Sequence, residues 1–316
     1  MEEKYLFDNG RKAIAIITAL FSLPIMLSGI LYQDDILRSA NGEAYWGALG
    51  RPLSDVVVMG LGFGSDFVVN LFPLTLILAT TLLAASSIIL YNRFAIKKDI
   101  TTGIVFSLFS LSPFFLQNLS YQFDSFPMML GVFLAVLPYS LSLEKLNIKL
   151  KVFLSSLFII MSLCLYQATV NIFIAICALE ILSIIHRTNN GKVAFKTSMI
   201  RALSLFIALV IYMKVIAPLY LSKAVKSELI LNANNPLESL QVNINKFISI
   251  LNSLDNQQFF IGWSLLLILS CVALISIIVK VINSNHSKAK KNHLGVISST
   301  ICSGSNIFYS RAFYIC

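Results

Sequence analysis

The sequence predicts an all-α integral membrane protein, a multispanning helical bundle of eight or nine transmembrane helices. Three observations carry that expectation. Hydrophobic residues make up 57% of the 316 and charged residues only 12%, whereas soluble domains carry roughly 25% charged residues. Such a chain has too few charges to coat itself with a polar surface. Apolar stretches recur at close to the about 17–25 residues that cross a hydrocarbon core. Basic residues, finally, gather in alternate connecting segments.

In chain order the apolar stretches lie at 13–31, 67–90, 103–117, 126–143, 152–167, 168–185, 199–221 and 259–282. The first is followed by Gln33-Asp34-Asp35 and not by a small-residue cleavage site, so it reads as an uncleaved anchor. The third and fifth lie near the lower length limit. Residues 152–185 are too many for one crossing and are interrupted at Tyr166-Gln167-Ala168-Thr169, which predicts a tight helical hairpin. Arg201 and Lys214 blur the ends of the seventh stretch. Residues 1–282 thus read as one multispanning domain with outer loops at 32–66, 117–125 and 222–258. Residues 283–316 read as a basic cytoplasmic segment followed by an atypical tail.

A net charge of +9 is compatible with a nucleic-acid partner, but its placement argues for topology instead. Lys and Arg cluster at Arg93, Lys97 and Lys98, at Lys145, Lys149 and Lys151, at Arg187, Lys192, Lys196 and Arg201, and at Lys280, Lys288, Lys290 and Lys291. The intervening segments are poorer in them. This positive-inside pattern puts the N-terminus in the cytoplasm and lets eight spans alternate without conflict. The partner it implies is a lipid bilayer; no nucleic acid is expected. Five cysteines show no paired spacing, and the three histidines (His186, His286, His293) fall on the cytoplasmic side. Neither a disulfide framework nor a zinc site is indicated, and no outer histidine can act as a base.

The chemistry is therefore concentrated on the outer face. Asp34 and Asp35 stand side by side after the first span, with Arg38 four and three residues on, at helical ion-pair spacing. Adjacent helical residues diverge by about 100°, so only one of the two acids can face a given reacting atom. The plainer reading is a solvated helix end with an ion pair. Trp46-Gly47-Ala48-Leu49-Gly50-Arg51-Pro52-Leu53 predicts a shaped turn around an arginine, the side chain best suited to grip a phosphate in bidentate fashion. Against this, Arg51 can meet lipid headgroups and Trp46 can belong to an aromatic belt. Asp124 is the only charge of the second outer loop and is equally an N-cap for the fourth span. Leu240 to Leu254 carries apolar residues at helical spacing, as an interfacial or core-facing helix would.

Asp34-Asp35, Arg38 and Trp46…Gly50-Arg51-Pro52-Leu53 resemble the phage and bacterial glucosyltransferases of the GtrII type. Tyr121-Gln122-Phe123-Asp124-Ser125 and Leu165-Tyr166-Gln167-Ala168, in the next two outer turns, strengthen the likeness, which covers about residues 5–282. These enzymes are similar to the wider GT-C class of multispanning glycosyltransferases. The resemblance implies a GT-C-type bundle in the bacterial inner membrane with its active site on the periplasmic face. It implies a polyprenyl-phosphate-linked glucose donor, a lipid-linked O-antigen acceptor, inversion at the sugar and no cofactor. It makes Asp34 and Asp35 the catalytic candidates. Arg38, Trp46, Arg51, Tyr121, Asp124 and Gln167 become substrate-binding candidates, and an adjacent acid pair is only a weak metal signal. Family members run longer than this chain, and Ser298 to Ser305 matches nothing in the family pattern. A C-terminal truncation is therefore expected, with residues 294–316 outside the native family sequence.

Two rival readings come from other classes. A transporter or flippase of lipid-linked saccharide needs ionisable residues within its spans, where Glu180 and Lys214 are the candidates. An inactive, truncated remnant is the other.

Overall fold

The computed structural model describes residues 8–64, 67–188, 190–221 and 235–253, together with residue 268. Among these the secondary structure is helical throughout. In order the helices are α1 (Asn9–Ser28), α2 (Asp34–Asn41), α3 (Pro52–Leu61), α4 (Leu74–Phe94), α5 (Ile100–Ser107), α6 (Pro113–Ser120), α7 (Ser125–Val136), α8 (Leu141–Glu144), α9 (Ile148–Leu165), α10 (Thr169–Thr188), α11 (Gly191–Ile211), α12 (Ala217–Tyr220) and α13 (Pro236–Ser253). A π-helical turn, Tyr212–Ile216, joins α11 to α12. Residues up to 181 and from 195 to 221 form one compact unit, which holds everything discussed below except α13. Residues 182–194 and 235–253 fall in a second unit.

Six helical stretches are long and apolar enough to cross a membrane: Asn9–Ser28, Leu74–Phe94, Ser125–Glu144, Ile148–Leu165, Thr169–Thr188 and Gly191–Tyr220. They match six of the eight predicted spans, and the chain reads as a membrane protein. The hairpin predicted at 166–169 is present as the break between α9 and α10. Lipid-facing behaviour shows in side chains such as Leu20, 61% exposed, and Phe206, 65% exposed, on helices whose other faces pack inward. The eighth predicted span, 259–282, and the tail 283–316 lie outside the described residues. The helix read at 240–254 is present as α13.

The third predicted span is not one helix, so a count of eight or nine continuous spans does not follow. The chain breaks over 108–112 between α5 and α6, where Pro113 cannot donate a backbone hydrogen bond. Hydropathy is blind to such a break, because the residues on either side stay apolar. Ser107 and Ser110 bond back to carbonyls of the preceding turn, Ile104 and Ser107, at 2.6 and 2.7 Å, as hydroxyl side chains in apolar helices do. The two halves still follow the length of α1. Gly103 packs on the backbone of Gly10, Thr18 Oγ1 and Ser110 Oγ lie 2.8 Å apart, and Gln122 Nε2 donates to the Gly29 carbonyl at 2.9 Å. Small and hydroxyl-bearing residues at these points allow close helix approach.

The loop predicted at 32–66 is largely helical as well, being built from α2, a 3₁₀ turn (Gly47–Leu49) and α3. It packs as a cap on one end of the bundle around Trp46, Val58, Val68 and Phe123. At the opposite end lies a buried ion network. Arg201, 1% exposed, donates to both oxygens of Glu180 at 2.9 and 3.0 Å, to Glu144 at 2.9 Å and to the Pro138 carbonyl at 2.8 Å. Arg93 and Lys151 complete it through Glu180 and Glu144. This explains how an arginine survives inside the seventh apolar stretch: every charge near it is paired.

Candidate active site

A cleft of about 230 Å³ opens at the capped end of the bundle. Asp34 and Arg38 from α2, Leu49 and Arg51 from the turn before α3, and Gln117, Asn118 and Tyr121 from the end of α6 line it. Asp124, Met128 and Tyr166 close it. Four segments separated in sequence thus converge on one concavity.

The adjacent acids take different positions. Asp35 is fully buried. Its carboxylate accepts from the backbone N–H of Gln122 at 2.8 Å, of Phe123 at 3.3 Å and of Tyr32 at 3.3 Å. It is the staple that pins the 121–124 turn to the start of α2. Burial pushes its pKa up, opposed by those three N–H dipoles. Asp34, one helical step away, is exposed on the cleft wall. Among the described residues its carboxylate has no hydrogen-bond or ion-pair partner. Gln33 before it holds a left-handed φ of 46°, a conformation costly for a residue with a Cβ. The Gln33 amide is held by Tyr121, whose hydroxyl donates to Oε1 at 2.8 Å.

The expected pairing of Arg38 with Asp34 or Asp35 does not occur. Arg38 pairs with Asp124, and Asp124 also accepts from the Trp46 indole N–H. The guanidinium stacks on the Trp46 ring, 3.9 Å from its centroid. Helical spacing allowed the local pair, but the buried Asp124 offers Arg38 a drier environment in which the attraction is stronger. Burial raises the Asp124 pKa, with the Arg38 charge opposing the shift. Asp124 stands at the N-cap position of α7, yet its side chain makes no capping bond. Trp46 is fully buried. It supports the cleft from beneath and cannot stack on a sugar.

Arg51 is held differently. Its Nε donates to Gln167 Oε1 at 2.9 Å and its guanidinium lies 5.1 Å from the Tyr166 ring centroid. Among the described residues its two terminal amino groups have no protein acceptor. Gln167 is therefore turned to Arg51, not to the open space of the cleft. Several contributors escaped the sequence reading. Asp55 accepts from the backbone N–H of Trp46 at 3.0 Å and of Gly47 at 2.6 Å, which fixes the turn carrying Arg51. Asn118, 7% exposed, lines the cleft beside Tyr166. Asp55, i+9 and i+8 from its partners, gave no local signal. Among the described residues no three His, Cys, Asp or Glu side chains gather as a metal cluster.

The family described as Glucosyl transferase GtrII matches residues 23–308. The chain belongs to the GtrII glucosyl transferase family. The match extends past residue 282, where the likeness by motifs stopped, and takes in residues 294–308. The expectation that the family sequence ends before 294 therefore does not hold. The GtrII chain is also similar to a Salmonella phage P22 protein described as "Uncharacterized 55.3 kDa protein in gtrB 5'region". The two are 28% identical over 186 residues, 58% of this chain and 38% of that protein. The aligned part thus spans well under half of the relative's length. No solved structure matches.

Proposed function

We propose that this GtrII-family chain is a membrane glycosyltransferase that moves glucose from a polyprenyl-phosphate donor to O-antigen polysaccharide on the periplasmic face. The observation that carries the reading is the presence, in one cleft, of a carboxylate (Asp34) and a guanidinium (Arg51) whose terminal groups have no partner among the described residues. Glycosyl transfer needs those two groups. Asp34 takes the proton of the acceptor hydroxyl as that oxygen attacks the anomeric carbon. The bond from that carbon to the phosphate oxygen breaks, and polyprenyl phosphate leaves with the electron pair. Arg51 meets the negative charge developing there, in bidentate geometry suited to a phosphate. Attack opposite the leaving group inverts the anomeric centre, as GT-C enzymes do.

Asp35, Asp124, Arg38 and Trp46 frame the site and hold Asp34 and Arg51 in place. The transporter reading loses its main support. Glu180 is locked between Arg93 and Arg201, and Lys214 is exposed on the outside of its helix. The test is transfer by the purified full chain in lipid bilayers, with polyprenyl-phosphate glucose and lipid-linked O-antigen. Wild type is expected to transfer glucose and Asp34→Asn to lose it. Full activity in Asp34→Asn sinks the assignment of the base, and uptake without transfer favours the transporter.

A further inference from the structure

Gln167 touches three partners, and they fix which way its amide faces. Its Nε2 lies 2.9 Å from the Leu49 carbonyl oxygen, which can only accept. Nitrogen must therefore point there, and Oε1 is left for the Arg51 Nε–H, 2.9 Å away. The second N–H of the amide donates to the Tyr212 hydroxyl at 3.0 Å, and that hydroxyl donates to the Gly50 carbonyl at 2.7 Å. Both N–H groups of the amide are engaged on protein atoms, so it has no donor left to offer a sugar.

Tyr212 reaches this point from a distant helix. It begins the π-helical turn Tyr212–Ile216. Pro218 follows, and its ring would clash with the carbonyl of residue 214 in a regular helix. The widened turn relieves that clash and re-aims the side chains of the helix end, a device common at functional sites. Gly50 is required opposite it. Its φ is 77°, and a Cβ there would lie 2.8 Å from the Tyr212 hydroxyl and 3.2 Å from Gln167 Nε2.

We infer that Gln167 and Tyr212 are positioning residues for Arg51, holding its Nε so that both terminal amino groups face the phosphate of a lipid-phosphate sugar. The inference rests on the proposed role of Arg51. A guanidinium tethered at Nε keeps its outer edge free for two parallel bonds to one anion, and less side-chain freedom is lost when the anion binds.

A double-mutant cycle on the full chain in lipid bilayers tests it. The readouts are the KM for polyprenyl-phosphate glucose, the KM for the acceptor, and direct binding of polyprenyl phosphate. Gln167→Ala is expected to raise the donor KM and weaken polyprenyl-phosphate binding about tenfold, the scale of losing a bond to a charged group. The acceptor KM should not move. Tyr212→Phe, which removes one hydroxyl and keeps the ring, should act in the same direction with a smaller effect. Combined with Arg51→Ala, neither should add anything, because each works through the guanidinium. If Arg51→Ala leaves polyprenyl-phosphate binding intact, the proposed role of Arg51 is wrong. If Arg51→Ala weakens binding but Gln167→Ala leaves it intact, or the two effects multiply, the positioning inference is overturned and the reading of Arg51 stands.

Discussion

Asp34 and Asp35 differ by one position and by everything that surrounds them. Asp35→Asn replaces one acceptor oxygen with a donor facing backbone N–H groups, leaving a buried donor unsatisfied. It is expected to cost about 1–3 kcal/mol, read as a lower melting temperature, with activity falling in proportion to folded protein. Asp34→Asn is expected to leave the melting temperature unchanged and to reduce transfer about 10²-fold or more. The raised pKa of Asp35 sets a sign for pH. A carboxyl that binds its proton more tightly when folded stabilises the fold most below the ordinary aspartate pKa. That contribution is lost as pH rises through the raised value. The melting temperature of Asp35→Asn should therefore decline less than wild type across that acidic window. The acid pair itself was legible as a sequence oddity, but its division of labour was not. Backbone N–H groups from Gln122 and Phe123, 87 and 88 residues away, choose which acid is buried.

At the scale of elements, the packing of α5 on α1 depends on the absence of two side chains. Any Cβ at Gly103 would meet the Gly10 backbone, which cannot swing aside as a side chain can. Gly103→Val is expected to destabilise by about 1–3 kcal/mol through overpacking. The check is the melting temperature in detergent, beside Gly60→Val, where a Cβ meets open space. The helices with strong apolar runs were legible because an isolated span must satisfy its own backbone bonds. The α5–α6 break was not, because Ser107, Ser110 and Pro113 are set among apolar residues and leave the hydropathy of the stretch almost unchanged. The cap made of α2 and α3 looks like a loop in the sequence for a related reason. Its helices are short, and their packing around Trp46 is a tertiary fact.

For the whole molecule, the cleft and the ion network sit at opposite ends of the bundle. Arg201→Met leaves Glu180 buried with Arg93 as its only cation among the described residues and is expected to cost about 3–5 kcal/mol. Arg201→Met with Glu180→Leu should cost less, since no buried charge is then stranded. Melting temperatures of the single and double variants check this. The proposed topology makes its own prediction. With the five native cysteines replaced by Ser, single cysteines Ser39→Cys and Lys98→Cys, probed with a membrane-impermeant thiol reagent, should label from the periplasm and from the cytoplasm respectively; the same side for both would overturn it. Sequence alone determined the class and the order of the six spans found among the described residues, because burying apolar length in lipid is a local, additive property of the chain. It also gathered the charged residues of the segments between those spans into a short set of candidates. Only the tertiary structure decided that Arg38 belongs to Asp124, that Gln167 belongs to Arg51, and that Asp34 is left open. Those outcomes depend on which groups from distant segments exclude water together, and no local pattern records that.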